Sequence, residues 1–428
     1  MRIYVSTLGC KLNQSEMDTL ATQLASLGHT VVAVPQEADL CVLNTCAVTH
    51  VAAQKTRQAL RRLYRANPAA GLVATGCYAE LSPAELEKLP GIELVVGNQD
   101  KAQLPALLDS LKIPPDVIAT ISNLQLPTSR IRTRALVKIQ DGCDNACTYC
   151  IIHVARGRQR SRAPDDVLTE VRARLAAGYQ EVVLTGVHIG AYGRDRGATG
   201  SGADLWALVN RILDETGVPR LRLSSIEPWD LPEEALSLWE DPRLCRHLHL
   251  PLQSGCDAIL GRMARRYTTA EFAALVDAAR AAIPDLAVTT DVIVGFPGET
   301  EQEAAKALSF VRAMGFARVH VFPYSLRPGT PAAGLPDQVS PAVKAERARA
   351  MREIATASAQ AFGGQFIGRT MSVLWESSRQ GEVGPVWSGL TDNYLRVFAA
   401  GSANLANRQT DVRLVALTKG GLQGELSI

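Results

Sequence analysis

The sequence is short of three things that would each assign it quickly. Net charge is almost absent, +2 over 428 residues. That excludes a whole-protein field for polyanions, so any such affinity must come from local clusters of Lys and Arg. No apolar run approaches a membrane span, and the opening MRIYVSTLGCKLNQSE has neither the apolar core nor the small-residue cleavage pattern of a signal peptide. A cytoplasmic protein with no membrane partner is expected. No long internal repeat or low-complexity tract is present, which excludes a repeat array.

What is there begins with 46% hydrophobic residues, enough to bury real cores in roughly two to four domains. There are also nine cysteines, at positions 10, 41, 46, 77, 143, 147, 150, 245 and 256. A reducing compartment disfavours structural disulfides and the count is odd, so metal or redox chemistry is the first question.

Residues 1–111 alternate short apolar strands (RIYVSTL, HTVVAV, ADLCVLN, GLVATG, IELVVG) with amphipathic helices, the pattern of a doubly wound, mostly parallel α/β domain. Pro114, Pro115 and Pro127 mark 112–133 as a linker. A second series has strands near 134–140, 180–185, 220–225, 246–250, 286–294 and 317–323. It predicts a closed or nearly closed β/α barrel with its chemistry at the carboxyl ends of the strands. With the charged helix SPAVKAERARAMREIATASAQA at its end, that unit spans 134–362. In 363–428, the runs TMSVLWE, NYLRVFA and DVRLVAL predict a small antiparallel β-barrel.

The loop DGCDNACTYC follows the first barrel strand and carries Cys143, Cys147 and Cys150. Three thiolates can hold three corners of a 4Fe-4S cube and leave the fourth iron open. A zinc knuckle would want a near fourth ligand, for which only His153 stands close. Buried apolar thiols would not be flanked by Asp141, Asp144, Asn145 and Thr148. Cys10, Cys46 and Cys77 each come directly after an expected strand and before a helix. In a parallel sheet those positions share the edge where such folds bind ligands, so a second three-thiolate cluster is expected there. Cys41 and Cys245 read as core thiols, and Cys256 lacks partners in the sequence.

The CxxxCxxC spacing, with Tyr149 before its last cysteine, resembles the signature of radical S-adenosylmethionine (SAM) enzymes. The resemblance implies that SAM completes the open iron and that strand-end residues contact it. Those would be Tyr149, Thr185 and Gly186 in LTGVHIG, Ser225 and Glu227 in SSIEP, and Asp291 and Gly295 in TTDVIVGFPGE. A turn glycine or a helix-capping acid is the plain alternative at each strand end.

TLGCKLNQSE, NTCAVT, TGCYAE, DGCDNACTYCIIHVARG, DVIVGFPGET and VFPYSLRPGTPAA together are similar to the methylthiotransferase branch of that superfamily, along essentially the whole chain. NTCAVT and RRYTT are most similar to the members that modify N6-threonylcarbamoyladenosine in tRNA. The resemblance implies two 4Fe-4S clusters, SAM as methyl donor and radical source, and an RNA-binding TRAM domain at the C-terminus. It further implies the tRNA anticodon arm as partner, with an electron donor and a sulfur source. Relatives that act on isopentenyladenosine or on a ribosomal-protein aspartate share the cysteines. His153-Val154 departs from the family's usual Pro followed by an aromatic. A noncatalytic iron–sulfur RNA-binding or electron-transfer protein is the reading from another class.

Arg156, Arg158, Arg160 and Arg162, with Arg130, Arg132, Arg134 and Lys138, gather positive charge beside the cysteine loop and are the candidate RNA contacts. KTRQALRRLYR adds a basic helix, and Trp375, Trp387, Tyr394 and Phe398 could either stack on bases or fill the C-terminal core.

Overall fold

The computed structural model describes residues 1–111, 133–197, 204–382 and 384–426. All but Thr133 of the expected linker lies outside the described residues, as do Arg130 and Arg132.

The N-terminal unit contains strands β1 (Arg2–Thr7), β2 (Thr30–Val32), β3 (Leu40–Thr45), β4 (Gly71–Gly76) and β5 (Ile92–Val96) in the order β2-β1-β3-β4-β5. Every pairing is parallel. LCVLNT and GLVATG are buried along their whole length, as strands covered on both faces must be. Helix α1 (Lys11–Ser26) and α5 (Leu104–Ser110) pack one apolar cluster, through Met17, Leu20, Leu24, Leu104 and Leu108. Helices α2 (His50–Ala66), α3 (Cys77–Leu81) and α4 (Pro83–Glu87) pack the other, through Ala53, Leu60, Leu63, Tyr78 and Leu86. The sheet is doubly wound, as expected.

The central unit starts with β6 (Arg134–Lys138); the two-residue strands β7 (Gln140–Asp141) and β8 (Arg160–Ser161) flank the cysteine loop and helix α6 (Ile152–Arg156). Then follow α7 (Pro164–Ala176), β9 (Glu181–Thr185), α8 (Leu205–Glu215), β10 (Leu221–Leu223) and β11 (His247–His249). The remainder is α9 (Asp257–Arg262), α10 (Thr269–Ala282), β12 (Ala287–Val294), α11 (Glu301–Met314), β13 (Arg318–Pro323) and α12 (Pro341–Gly364). Capping boxes at Thr268/Glu271 and Thr300/Glu303 start α10 and α11, and Ser340 with Pro341 starts α12. Two parallel three-stranded sheets, β6-β9-β10 and β11-β12-β13, meet through single bridges at Leu221–Leu244 and Ser225–His249. The barrel is therefore partial, open between β6 and β13.

Strand alternation sorts its two faces. Val137, Val182, Leu184, Leu223, Leu248, Val288 and Val292 join the apolar core against the helices. The opposite parity carries Arg134, Lys138, Glu181, Arg222, His247, His249, Thr289, Asp291 and His320, so the lumen is polar. Helix α1 covers the free edge of β6: Ser15 Oγ donates to Leu136 O at 2.8 Å, and Glu16 pairs with Lys138 at 3.0 Å.

The C-terminal strands β14 (Thr370–Gly381), β15 (Gly384–Thr391), β16 (Arg396–Ala400), β17 (Gln409–Thr418) and β18 (Gly421–Leu426) close a barrel in the order β14-β15-β16-β18-β17. An all-antiparallel barrel was the expectation, but β16 and β18 pair in parallel, with Val397 opposite Leu422. A closed ring with an odd number of strands cannot alternate direction throughout. Trp375 and Trp387 lie in its core with Val373, Val397 and Val412. Tyr394 instead leaves the barrel and stacks on His247, ring centroids 4.3 Å apart. Arg222 Nη1 donates to Asp392 O at 2.8 Å, Arg220 Nη1 to Leu390 O at 3.1 Å, and Arg246 pairs with Asp392 at 2.6 Å. The C-terminal barrel thus floors the central one at the starting ends of its strands.

Candidate active site

The Cys143–Cys150 loop leaves β7 at the carboxyl end of the barrel. Gly142 permits the turn: its φ is +70°, and a Cβ there would lie 1.9 Å from Arg158 O. Thr148 anchors the loop to Met263 O and Arg262 O through its N–H and hydroxyl at 3.2 and 2.8 Å. Each sulfur receives an N–H: Asn145 N to Cys143 at 3.4 Å, Arg265 Nη1 to Cys147 at 3.5 Å, and Ile152 N to Cys150 at 3.5 Å. Burial nevertheless pushes the Cys150 thiol up to about 12 and raises Cys147. Anionic sulfurs here want a bound cation or cluster to offset desolvation, and three converging thiols with N–H donors fit a cluster with one open corner.

Two supports of this loop were not singled out from the sequence. His188 follows β9 inside the quoted LTGVHIG; its Nε2 lies 2.5 Å from Asp230, and its Nδ1 faces Asn145 at 3.3 Å and Cys143 Sγ at 3.9 Å. Burial opposes a charge on the ring, but the hydrogen bonds to Asp230 and Cys143 outweigh it and push its pKa up to about 9. Arg265, the first residue of RRYTT, pairs with Glu227 and lies over the rings of Trp229 and Tyr267 at 4.7 and 5.2 Å. Both lie in quoted stretches, LTGVHIG and RRYTT, but no spacing in the sequence ties either residue to the cysteine loop.

The strand-end candidates are placed unequally. Glu227 reaches the cysteine loop through Arg265. Thr185 ends β9, buried, and a Cβ on Gly186 would meet Gln140 O at 2.9 Å, so both lie against the base of the loop. Ser225 is exposed beside His249, and Asp291 faces the lumen, 3.4 Å from His249. Tyr149 packs on an apolar cluster of Ile259, Met263, Phe296 and Tyr324, which also absorbs Cys256. Gly295 turns the chain after β12: its N–H donates to Glu299 at 2.6 Å, and Lys344 of α12 fills the space a Cβ would enter.

Cys10, Cys46 and Cys77 stand after β1, β3 and β4, neighbours in the sheet. A Cβ on Gly9, at φ +103°, would lie 2.8 Å from Cys46 Sγ, so the Cys10 turn rests directly on Cys46. Burial, then the charges of Cys77 and Cys10, push the Cys46 thiol up to about 11. Asn98 Nδ2 approaches Cys77 Sγ at 3.6 Å. Among the described residues no group of His, Cys, Asp or Glu is gathered for a single metal ion. A cubane binds each thiolate to a different iron and holds the sulfurs further apart than one zinc would. The loop after β13 brings the two units together here, with Arg327 Nε donating to Val48 O at 3.2 Å and Ser325 Oγ accepting from His50 N at 3.1 Å.

Arg156 corrects the RNA-contact expectation. It is 1% exposed, and its guanidinium bonds Glu16 and Asp141, each at 2.9 Å, and Asn13 at 2.6 Å. Lys101 and Lys138 complete the network on Glu16, so both cysteine-bearing segments hang from one buried cluster of charges. Arg162 is held by Glu170 at 2.5 Å. Arg158 and Arg160 remain exposed, as do Lys55, Arg61, Arg62 and Arg65 on α2.

Comparison with known proteins agrees with this architecture. Residues 2–97 match the model "Uncharacterized protein family UPF0004", and residues 137–311 match the "Radical SAM superfamily". The chain is 38% identical to the threonylcarbamoyladenosine tRNA methylthiotransferase MtaB of Bacillus subtilis over 96% of its length and 92% of that protein's. With the Thermotoga maritima protein of that name it shares 37%, covering 87% and 86%. It is 34% identical to the tRNA-2-methylthio-N(6)-dimethylallyladenosine synthase of Maricaulis maris, over 100% and 97%. Among solved structures, the radical SAM methyltransferase TsrM of Kitasatospora setae superposes with a TM-score of 0.58 at 16% identity, covering 78% of this chain and 75% of that one, which is a likeness of fold.

Proposed function

The chain belongs to the radical SAM tRNA methylthiotransferases, and we propose that it converts N6-threonylcarbamoyladenosine beside the tRNA anticodon into its 2-methylthio derivative. The observation that carries the reading is the pair of thiol triads on carboxyl-end loops of adjoining parallel units, joined through Arg156.

SAM and a 4Fe-4S cluster are the cofactors of this superfamily, and Cys143, Cys147 and Cys150 are the residues we assign to that cluster. We assign a second 4Fe-4S cluster to Cys10, Cys46 and Cys77. The target, the C2–H of an adenine ring, is not acidic enough for a side-chain base; bound SAM and its cluster supply radical chemistry that can break it. This chain's residues hold and orient. Arg265 and Glu227 brace Cys147, His188 and Asp230 brace the Cys143 side, and the Glu16–Arg156–Asp141 network keeps the two loops in register. Exposed Arg158, Arg160 and the basic face of α2 are the phosphate contacts that the reading favours, and the C-terminal barrel, which carries exposed Arg379 and Arg413, is a further RNA-contacting unit. Electrons and sulfur come from partner proteins or small donors.

Mass spectrometry of nucleosides from total tRNA tests the reading. Cells lacking the gene should lose 2-methylthio-threonylcarbamoyladenosine and accumulate its unmethylthiolated precursor. Loss of the dimethylallyl counterpart instead would refute the substrate, and no change in either would refute the reaction on tRNA.

A further inference from the structure

The charges at the lumen floor are unevenly matched. Glu181 is already paired with Arg222 and Arg220 at 2.7 and 2.9 Å and Glu376 with Arg134 at 2.7 Å, while Asp291 lies 3.4 Å from the His249 ring. Lys11 stands in the first turn of α1, the helix that covers the free edge of β6. Its Nζ is 5.9 Å from the Tyr394 ring, and Arg134, Arg222 and Glu181 are the other charges that act on it. Its charge is also felt at His247 and His320. Among the described residues Lys11 has no carboxylate partner of its own, and the buried Nδ1 of His247 has no hydrogen-bond partner. A buried ring nitrogen with no partner is costly to leave so, and the half-buried Lys11 ammonium lacks a counter-ion of its own.

Resting on the proposed function, we infer that Lys11 and the polar lumen floor bind the carboxylate of the threonylcarbamoyl group, and that this contact selects that adenosine over an alkylated one. C2 and the exocyclic N6 lie on either side of N1, so when C2 is presented to the cysteine loops at the barrel mouth, the N6 substituent is directed away from them. A threonylcarbamoyl group ends in an α-carboxylate and a hydroxyl, which answer an ammonium group and an imidazole nitrogen. A dimethylallyl group is a branched hydrocarbon. It would desolvate Lys11, Arg134 and His247 and return no hydrogen bond, the kind of mismatch that discriminates far more strongly than a missing methylene.

The test measures binding of the anaerobically purified holoenzyme to synthetic anticodon arms carrying N6-threonylcarbamoyladenosine, the same base with its carboxylate amidated, or plain adenosine. The unaltered enzyme should bind the carboxylate arm about 10- to 100-fold more tightly than the amidated one, the size of one charge-assisted hydrogen bond. K11M, checked for unchanged iron and sulfide content, should bind the two arms equally, and K11R should restore part of the preference. Equal binding of both arms by the unaltered enzyme would overturn the inference even if it methylthiolates them, leaving the reaction intact. Methylthiolation of dimethylallyladenosine arms in place of threonylcarbamoyl ones would overturn the proposed substrate, and the inference with it.

Discussion

Replacing Arg156 by Met removes a guanidinium that is 1% exposed and bonded to Glu16, Asp141 and Asn13 at 2.6–2.9 Å. Breaking one partner out of a buried pair costs about 3–5 kcal/mol, because the charge left behind stays desolvated. Glu16 keeps Lys101 and Lys138, at 2.7 and 3.0 Å, and Asp141 keeps Lys138 at 2.7 Å, which places the expected loss near the low end, about 3 kcal/mol. Urea unfolding of the anaerobic protein, followed by far-UV circular dichroism, should show that loss for R156M and less than about 0.5 kcal/mol for R158M, an exposed site. Tight tRNA binding should split the other way. R158M and R160M should each lower the dependence of affinity on salt by about one counterion, and R156M should leave that slope alone. A near-normal unfolding curve for R156M, with a reduced salt slope, would refute the burial argument and return Arg156 to the RNA surface.

Two further outcomes follow from the site and its floor. Cys46→Ala should lower bound iron by about half and abolish methylthiolation of tRNA, while SAM is still cleaved after reduction; retained methylthiolation would sink the two-cluster assignment. Glu181 is held at about 2 against an ordinary 4.5: burial would raise it, but Arg222 and Arg220 prevail. Its contribution to stability is complete above about pH 4.5 and vanishes as the pH falls through about 2, in all about 3 kcal/mol. The melting temperatures of the unaltered protein and E181Q should therefore converge on acidification over that window, and parallel curves would contradict it.

Much of the site was legible because its parts are local. The CxxxCxxC spacing places three thiols on one loop whatever surrounds them, and a cysteine directly after a buried strand of a parallel sheet lies at its carboxyl edge. The same rule placed Glu227 at a strand end, although its partner Arg265, 38 residues away, was not assigned. At Gly295 the rule gives position and no more, since a glycine that turns a strand end serves a packed Lys344 as well as it would a ligand. Tyr394 escaped the pattern because its strand signal says nothing of a ring that stacks on His247 in another unit.

By itself the sequence determined the alternation of strands and helices, the three units, and the ends of the strands on which the thiols stand, because hydrophobic period and loop spacing act over a few residues. Only the tertiary structure decided which charges are spent internally and which remain available. Arg156 sits in a run of arginines that looks like an RNA surface, yet Glu16, 140 residues earlier, claims it. Lys11 looks like an ordinary first-turn lysine, yet α1 lies on the edge of β6 and puts its ammonium group 5.9 Å from the Tyr394 ring, which stacks on His247. Ion pairing and desolvation depend on distance in space, and a sequence lists its charges without the distances between them.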